Sequence, residues 1–207
     1  MDAREQLDIV KRIKAIAETG LVYTEGIYDK ERYEELKVIS LKLLAELSGQ
    51  SFSKLDSFFL PQLDYPTPKV DVRGFVLNGN DQILLAQEQV DGKWTIPGGW
   101  ADVGNTPTEV AVREIKEETG LDAEVLRLLA IYDKQRHPHP PEPYYIYKLI
   151  FHCKVTGGEL QAGFDMQGAD WFSLDELPPL SEERILENQL HHLYSLVKDD
   201  IHKVYVD

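Results

Sequence analysis

The sequence predicts an α/β protein: an α/β/α sandwich on a mixed sheet, preceded by a small N-terminal helical domain. Three observations support this. Residues 1–48 carry only helical patterning, prolines at 61, 66 and 68 then hold the chain extended, and from Lys69 onward strand-like runs alternate with helical ones. At 207 residues the chain is long enough for one sizeable core plus an appendage. The division is placed at residue 66, giving a helical domain over 1–66 and an α/β domain over 67–207.

In the first helix Ile9, Ile13 and Ile16, with Val10 and Ala17, form an apolar side that ends near Gly20. In the second, Tyr33, Leu36, Ser40, Leu43 and Leu47 recur at 3-4-3-4 spacing, with Asp29 as N-cap and Gly49 as stop. Two helices of this length cannot enclose a core by themselves. They are expected to pack both on the rest of the chain and on a second subunit; packing only within their own domain is the alternative. Phe58, Phe59 and Leu60 are expected to dock before the prolines.

Strands are predicted over 70–77 and 82–87, joined as a hairpin by Asn78-Gly79. A glycine loop over 97–104 and a helix follow. Further strands are predicted over 123–133 and 144–155, a turn at Gly157-Gly158, and a short strand at 169–172. A last helix is predicted over 182–198, capped by Ser181.

The helix after the glycine loop has well-marked ends. Thr106 is the N-cap, Pro107 takes the first helical position, Glu109 completes a capping box and Gly120 supplies a left-handed stop. Ala111, Val112 and Ile115 form an apolar stripe for packing. Glu114, Glu117 and Glu118 stand at i, i+3 and i+4, so their carboxylates share one face. At about 6 Å and an effective dielectric near 20, each like-charge pair costs on the order of 3 kcal/mol before screening. A divalent cation with oxygen ligands, Mg²⁺ or Mn²⁺, removes the difficulty. A solvated acidic face is the alternative, and the preceding glycines weigh against it.

Gly99, Arg113, Glu114, Ile115, Glu117, Glu118, Gly120 and Leu121 fall in register on the Nudix hydrolase signature, Gly-x5-Glu-x7-Arg-Glu-U-x-Glu-Glu-x-Gly-U with U aliphatic, which this stretch resembles. One position departs: Asn105 stands where the signature has its first glutamate. The resemblance covers about 67–207 and implies the Nudix fold and a metal-dependent pyrophosphohydrolase. It implies metal ligation by Glu114, Glu117, Glu118 and a loop carbonyl, here Gly98. The run Tyr65 to Gly74, the box opening Gly98-Gly99-Trp100-Ala101-Asp102, and Leu177 to Ser181 are similar to two-domain bacterial Nudix enzymes of the CDP-choline pyrophosphatase type. That likeness implies a homodimer and a secondary action on RNA ends.

In this reading Glu117 is the water-activating base, Glu118 a ligand that bridges metals, and Arg113 an orienter of the carboxylates. The loss of charge at Asn105 is expected to weaken the metal site without abolishing it, with Asp102 compensating. Substrate contacts are assigned to Arg73, Trp100, Asp102 and Asp165. For Arg73 a snorkelling surface position is the alternative, and for Asp165 a solvated loop. Trp100 either stacks on a base or wedges the loop. His137 and His139, between prolines, read as a plain loop or as a substrate gate, with a metal tract the weakest reading.

The net charge of −14 argues against a broad grip on nucleic-acid backbone, and residues 1–66 are not patterned as a recognition helix, so no DNA partner is expected. No apolar run reaches membrane-spanning length. The one cysteine, Cys153, lies in an apolar strand and reads as a buried thiol in a reducing cytoplasm. The substrate expected is a small nucleoside diphosphate conjugate, CDP-choline first and ADP-ribose second. A non-catalytic ligand sensor and a nucleoside triphosphate sanitiser are the other classes.

Overall fold

The structure, a computed structural model, describes residues 3–49, 51–53, 55, 65–102 and 104–207. The docking expected of Phe58, Phe59 and Leu60 lies outside them. The chain divides into two compact units. One holds the described residues up to Pro68 together with Pro141–Tyr145; the other holds Lys69–Pro140 and Ile146–Asp207.

The first unit is a helical pair, α1 (Ala3–Tyr23) and α2 (Ile27–Ser48). The seam differs from the sequence expectation by a rotation of each helix. Leu7 and Val10 meet Leu41, Leu44 and Leu55 in the core, and Ala17 and Ser40 are buried. Ile9, Ile16, Leu36 and Leu43 face outward instead. Gly20 does not end α1. It lies inside it, where an added Cβ would sit 2.5 Å from ring atoms of Tyr33, so small residues let α2 approach. Counting isoleucines favoured the wrong stripe: the buried one runs through Leu7, Val10 and Ala17, beside Ile9 and Ile16. Asp29 is likewise not the N-cap: Gly26 is, and Asp29 pairs with Arg32 at 2.7 Å in the first turn. Gly49 stops α2 at φ 66°. The 141–145 segment joins this unit through Tyr145, whose hydroxyl donates to the Asp8 carbonyl at 3.2 Å.

The second unit carries two sheets. A mixed five-stranded sheet has the order β4-β1-β6-β5-β8, built from β1 (Lys69–Val76), β4 (Gly98–Trp100), β5 (Leu121–Asp133), β6 (Ile146–Gly158) and β8 (Tyr205–Val206). A three-stranded sheet has the order β3-β2-β7, from β3 (Trp94–Thr95), β2 (Ile83–Glu88) and β7 (Met166–Phe172). β1 runs parallel to β6 and antiparallel to β4. The helices are α3 (Pro107–Thr119) and α4 (Glu187–Lys198). One core packs Phe75, Ile83, Leu85, Leu129 and Ile150 with α4 residues Leu190 and Leu193. The other packs Val72, Val76, Leu84 and Phe151 with Val110, Ala111 and Ile115 of α3, leaving Val112 only half-buried. No helix among the described residues is long and apolar enough to cross a membrane.

Three expectations fail here. β1 and β2 form no hairpin: after one bridge, Leu77 to Ile83, they diverge into separate sheets. Asn78 makes a wider turn by accepting the Asn80 and Gln82 amides on its side-chain oxygen, and Asp81, not Gly79, takes the positive φ of 62°. Gly157 and Gly158 are not a turn but the end of β6, paired with Asp122 and Leu121. The last helix starts at Glu187, since Ser181 closes a separate turn through its carbonyl and donates its hydroxyl to Asp91 at 2.7 Å.

Period-2 alternation on β1 turns Asp71, Arg73 and Phe75 to one face and Val72, Gly74 and Val76 to the other. Arg73 is therefore not a snorkelling surface residue. It is buried, donating to Asp71 at 2.9 Å, to Thr95 at 3.2 Å and to the Ile96 carbonyl at 2.9 Å. Lys148 on β6 stands opposite Asp71 and donates to the same carboxylate oxygen. Burial pushes the Asp71 carboxyl up, but the Arg73 and Lys148 charges outweigh it and hold it at about 2. Asp71→Asn strips two buried cations of their shared anion and is expected to destabilise the fold by about 3–5 kcal/mol. Urea unfolding at neutral pH measures this, and a loss below about 1 kcal/mol would contradict the arrangement.

Candidate active site

The helix α3 is set by its ends. The Thr106 hydroxyl accepts the Glu109 amide at 3.3 Å, Glu109 accepts the Thr106 amide at 2.8 Å, and Gly120 closes the helix at φ 73°. This fixes which face the three glutamates present. Glu118 is turned inward, only 5% exposed, and accepts the Gly98 amide at 3.2 Å. Glu114 is half-buried and accepts from Arg113 at 2.9 Å, while Glu117 is exposed with the Arg113 Nε 3.9 Å away. Arg113 also donates to the Asn105 side-chain oxygen at 3.0 Å and lies 3.4 Å from Asp102. One guanidinium thus gathers Asp102, Asn105, Glu114 and Glu117. Among the described residues no three acidic, histidine or cysteine side chains yet converge as a ready-made ligand group.

The glycines in front of α3 are sterically required. A Cβ on Gly98 would lie 2.4 Å from both the Val72 carbonyl and the Arg73 side chain, and one on Gly99 would lie 3.0 Å from the Glu114 carboxylate. Gly98 pairs with Arg73 across the β1–β4 ladder, so the Arg73 charge stands beside Glu118. Trp100 follows, 45% exposed, with the Lys69 ammonium 5.1 Å from its ring centre.

The loop over 159–165 is fastened to the far end of α3. The Gln161 amide donates to the Thr119 carbonyl at 2.9 Å and the Gly163 amide to the Glu118 carbonyl at 3.0 Å. A Cβ on Gly163 would fall 2.0 Å from the Glu117 carbonyl. Asp165, exposed, sits two residues beyond that contact. Two site residues are not evident from sequence, Gly163 and Glu88, the latter a buried carboxylate on β2 that Arg184 holds at 2.6 Å. Neither carries a local motif; only sheet pairing and loop docking bring them to the site.

The histidines between prolines are structural. His137 pairs with Asp207 at 2.9 Å, and His139 is buried with its Nδ1 2.6 Å from the Glu182 carbonyl, to which it donates. Burial holds His139 down at about 3, so it is neutral.

Glu118 is the electrostatic extreme of the site. Burial raises its carboxyl to about 8; Arg73 opposes this, while Glu114 and Glu88 add to it. Burial also raises Glu114, against the Arg113 charge. A groove of about 590 Å³ runs along the outer side of α3 and includes Arg113 and Glu117 with Val112, Ala123 and Val125.

Comparison with known proteins fits this geometry. The NUDIX domain family matches residues 67–193, and a family described as "UDP-X-like, N-terminal oligomerisation domain" matches residues 4–59. The chain belongs to the Nudix hydrolase family and is a pyrophosphatase of that class. Within it, the chain is of the two-domain kind that carries the UDP-X-like N-terminal domain. It is 41% identical over 201 residues to the Bacillus subtilis (strain 168) protein named "Putative ADP-ribose pyrophosphatase YjhB", covering 97% of this chain and 96% of that one. A crystal structure of UDP-X diphosphatase matches with TM-score 0.64 and 33% identity over the whole of both chains. An ADP-ribose pyrophosphatase from Streptococcus suis 89-1591 matches with TM-score 0.62 and 36% identity, covering 68% of this chain and all of that one.

The raised Glu118 carboxyl has a measurable consequence in the metal-free protein. The unfolded chain releases this proton near 4.5, the folded chain only near 8. The contribution of Glu118 to stability is therefore fully present below about pH 4.5 and is lost as pH rises through about 8. The loss is on the order of a few kcal/mol. Urea midpoints in chelator should fall across this window in the wild type and fall less in Glu118→Gln; equal slopes would contradict the assignment.

Proposed function

We propose that this chain hydrolyses the diphosphate linkage of a nucleoside diphosphate conjugate, using Mg²⁺ or Mn²⁺ held by Glu114, Glu117, Glu118 and the Gly98 carbonyl. The observation that carries the reading is the buried Glu118 beside Gly98, on one helix face with Glu114 and Glu117. The donors are all oxygens, and Gly99 leaves room for backbone beside the Glu114 carboxylate, which suits a hard divalent cation. When bound, such an ion neutralises phosphate charge and lowers the pKa of a coordinated water.

The chain's own residues supply the rest. Glu117, exposed on that face, takes the proton as water attacks phosphorus. The new P–O bond forms as the bridging P–O bond breaks, releasing a nucleoside monophosphate and the phosphorylated second moiety. Arg113 holds Glu114 and Glu117 in place through the contacts above and is a positioning residue. Arg73 acts from below, as a buried charge facing Glu118. Asp102, Trp100 and Asp165 line the approach for substrate.

Within the substrate class, ADP-ribose and UDP conjugates rank first, because the relatives similar over most of this chain are named for them. CDP-choline, to which the box and linker pointed, stays in the panel with 5′-phosphorylated RNA ends. We further place the division of domains at residue 66 and assign the helical domain to homodimer formation. Its match to an oligomerisation domain and the outward Ile9, Ile16, Leu36 and Leu43 support this. The buried free thiol of Cys153 fits a cytoplasmic setting.

A screen of ADP-ribose, UDP conjugates, CDP-choline and short RNA with Mg²⁺ or Mn²⁺ tests the proposal. At least one conjugate should be hydrolysed only with metal, and Glu117→Gln and Glu118→Gln should each lower kcat by about 10²-fold or more. Full activity in both variants would overturn the mechanism. Turnover of CDP-choline alone would overturn the substrate ranking.

A further inference from the structure

Phe164 is the most exposed large apolar side chain among the described residues, at 95%. An exposed aromatic on a fraying loop would carry no information. This one is held firmly. On one side of it the Gly163 amide is bonded to the Glu118 carbonyl, and on the other the Phe164 carbonyl accepts the Gln89 side chain at 2.9 Å. Gly163 cannot be replaced without a clash against the Glu117 carbonyl, which marks how closely the loop is pressed onto α3. Phe164 follows Gly163 directly, so its Cα lies about 3.8 Å beyond a residue bonded to the metal-binding helix. The loop thus sets an aromatic ring in water within one residue of the backbone of two proposed metal ligands.

We propose that Phe164 is the stacking platform for the nucleobase of the substrate, an inference that rests on the reading of the site as a nucleoside diphosphate hydrolase. With the diphosphate at Glu114, Glu117 and Glu118, the base has to lie beside that face, and the loop adjoins it on two counts: Gly163 is bonded to the Glu118 carbonyl, and Phe164 to Gln89, which follows the Glu88 carboxylate whose charge acts on Glu118. A planar base meets a ring with open faces at little ordering cost, because the backbone beneath it is already fixed. Trp100 is the competing platform, but its ring is half-covered and the Lys69 ammonium lies over it. Stacking by one ring without edge contacts predicts tolerance between bases, in line with relatives named for both adenine and uracil nucleotides.

Steady-state kinetics on the full chain decide this. For the best conjugate in the screen, Phe164→Ala should raise KM about tenfold with kcat within about twofold. For the same conjugate built on an abasic ribose, the change in KM should stay under about twofold. Phe164→Trp should keep the wild-type KM, and its added fluorescence should be quenched by nucleoside monophosphate. Unchanged KM in Phe164→Ala, an equal loss on the abasic conjugate, or a shift in sedimentation that places the ring between copies of the chain would each overturn the proposal. If the wild type hydrolyses no conjugate, the functional reading fails, and the quench by nucleoside monophosphate still decides the role of the ring.

Discussion

Glu118 is a carboxylate that α3 cannot turn to water. The capped ends of the helix fix its rotation, the apolar stripe of Val110, Ala111 and Ile115 fixes its seat, and the same geometry buries Glu118 beside Gly98. Glu114, one turn away, adds like charge at close range. Such a carboxylate either keeps its proton or gains a cation. Much of the second unit is arranged around that choice. Gly98 has no side chain because Val72 and Arg73 occupy the space, and its amide is what Glu118 receives. Arg113 collects the remaining acidic and amide groups, so the exposed half of the face keeps its shape without a metal.

The positive charge beneath the site is itself anchored. Arg73 stands beside Glu118 because β1 pairs with β4, and it remains charged in the interior because Asp71, Glu118 and Glu88 face it with opposite charge, while Lys148 shares Asp71 across the β1–β6 ladder. β1, between β4 and β6 in the mixed sheet, therefore serves the chemistry as much as the core. Its one face carries Asp71 and Arg73 toward the site, and its other face packs α3 through Val72 and Val76.

Local rules carried the site further than the fold. The caps at Thr106 and Gly120 and the shared face of Glu114, Glu117 and Glu118 depend on neighbours within one or two turns, so the sequence states them. The hairpin at Asn78-Gly79 failed because two sheets compete for β1 and β2, a long-range choice that no dipeptide records. Arg73 alternates with apolar residues whether it faces solvent or a buried Asp, and only the register with Lys148 distinguishes these. In the helical pair the isoleucine stripe lost to a neighbouring one of Leu7, Val10 and Ala17, with Gly20 admitting the Tyr33 ring. Gly163 and Phe164 were invisible because their meaning lies in hydrogen bonds to distant residues, Gly163 to Glu118 on α3 and Phe164 to Gln89.

Whether the crowded helix face is a metal platform is tested most directly by crystals of the full chain soaked in Mn²⁺ and measured at the manganese absorption edge. Anomalous density is expected among the carboxylates of Glu114, Glu117 and Glu118 and the Gly98 carbonyl, with Glu118 turned off the Gly98 amide. Density at His137 and Asp207 alone, or none at a Mn²⁺ concentration that saturates activity, would contradict it.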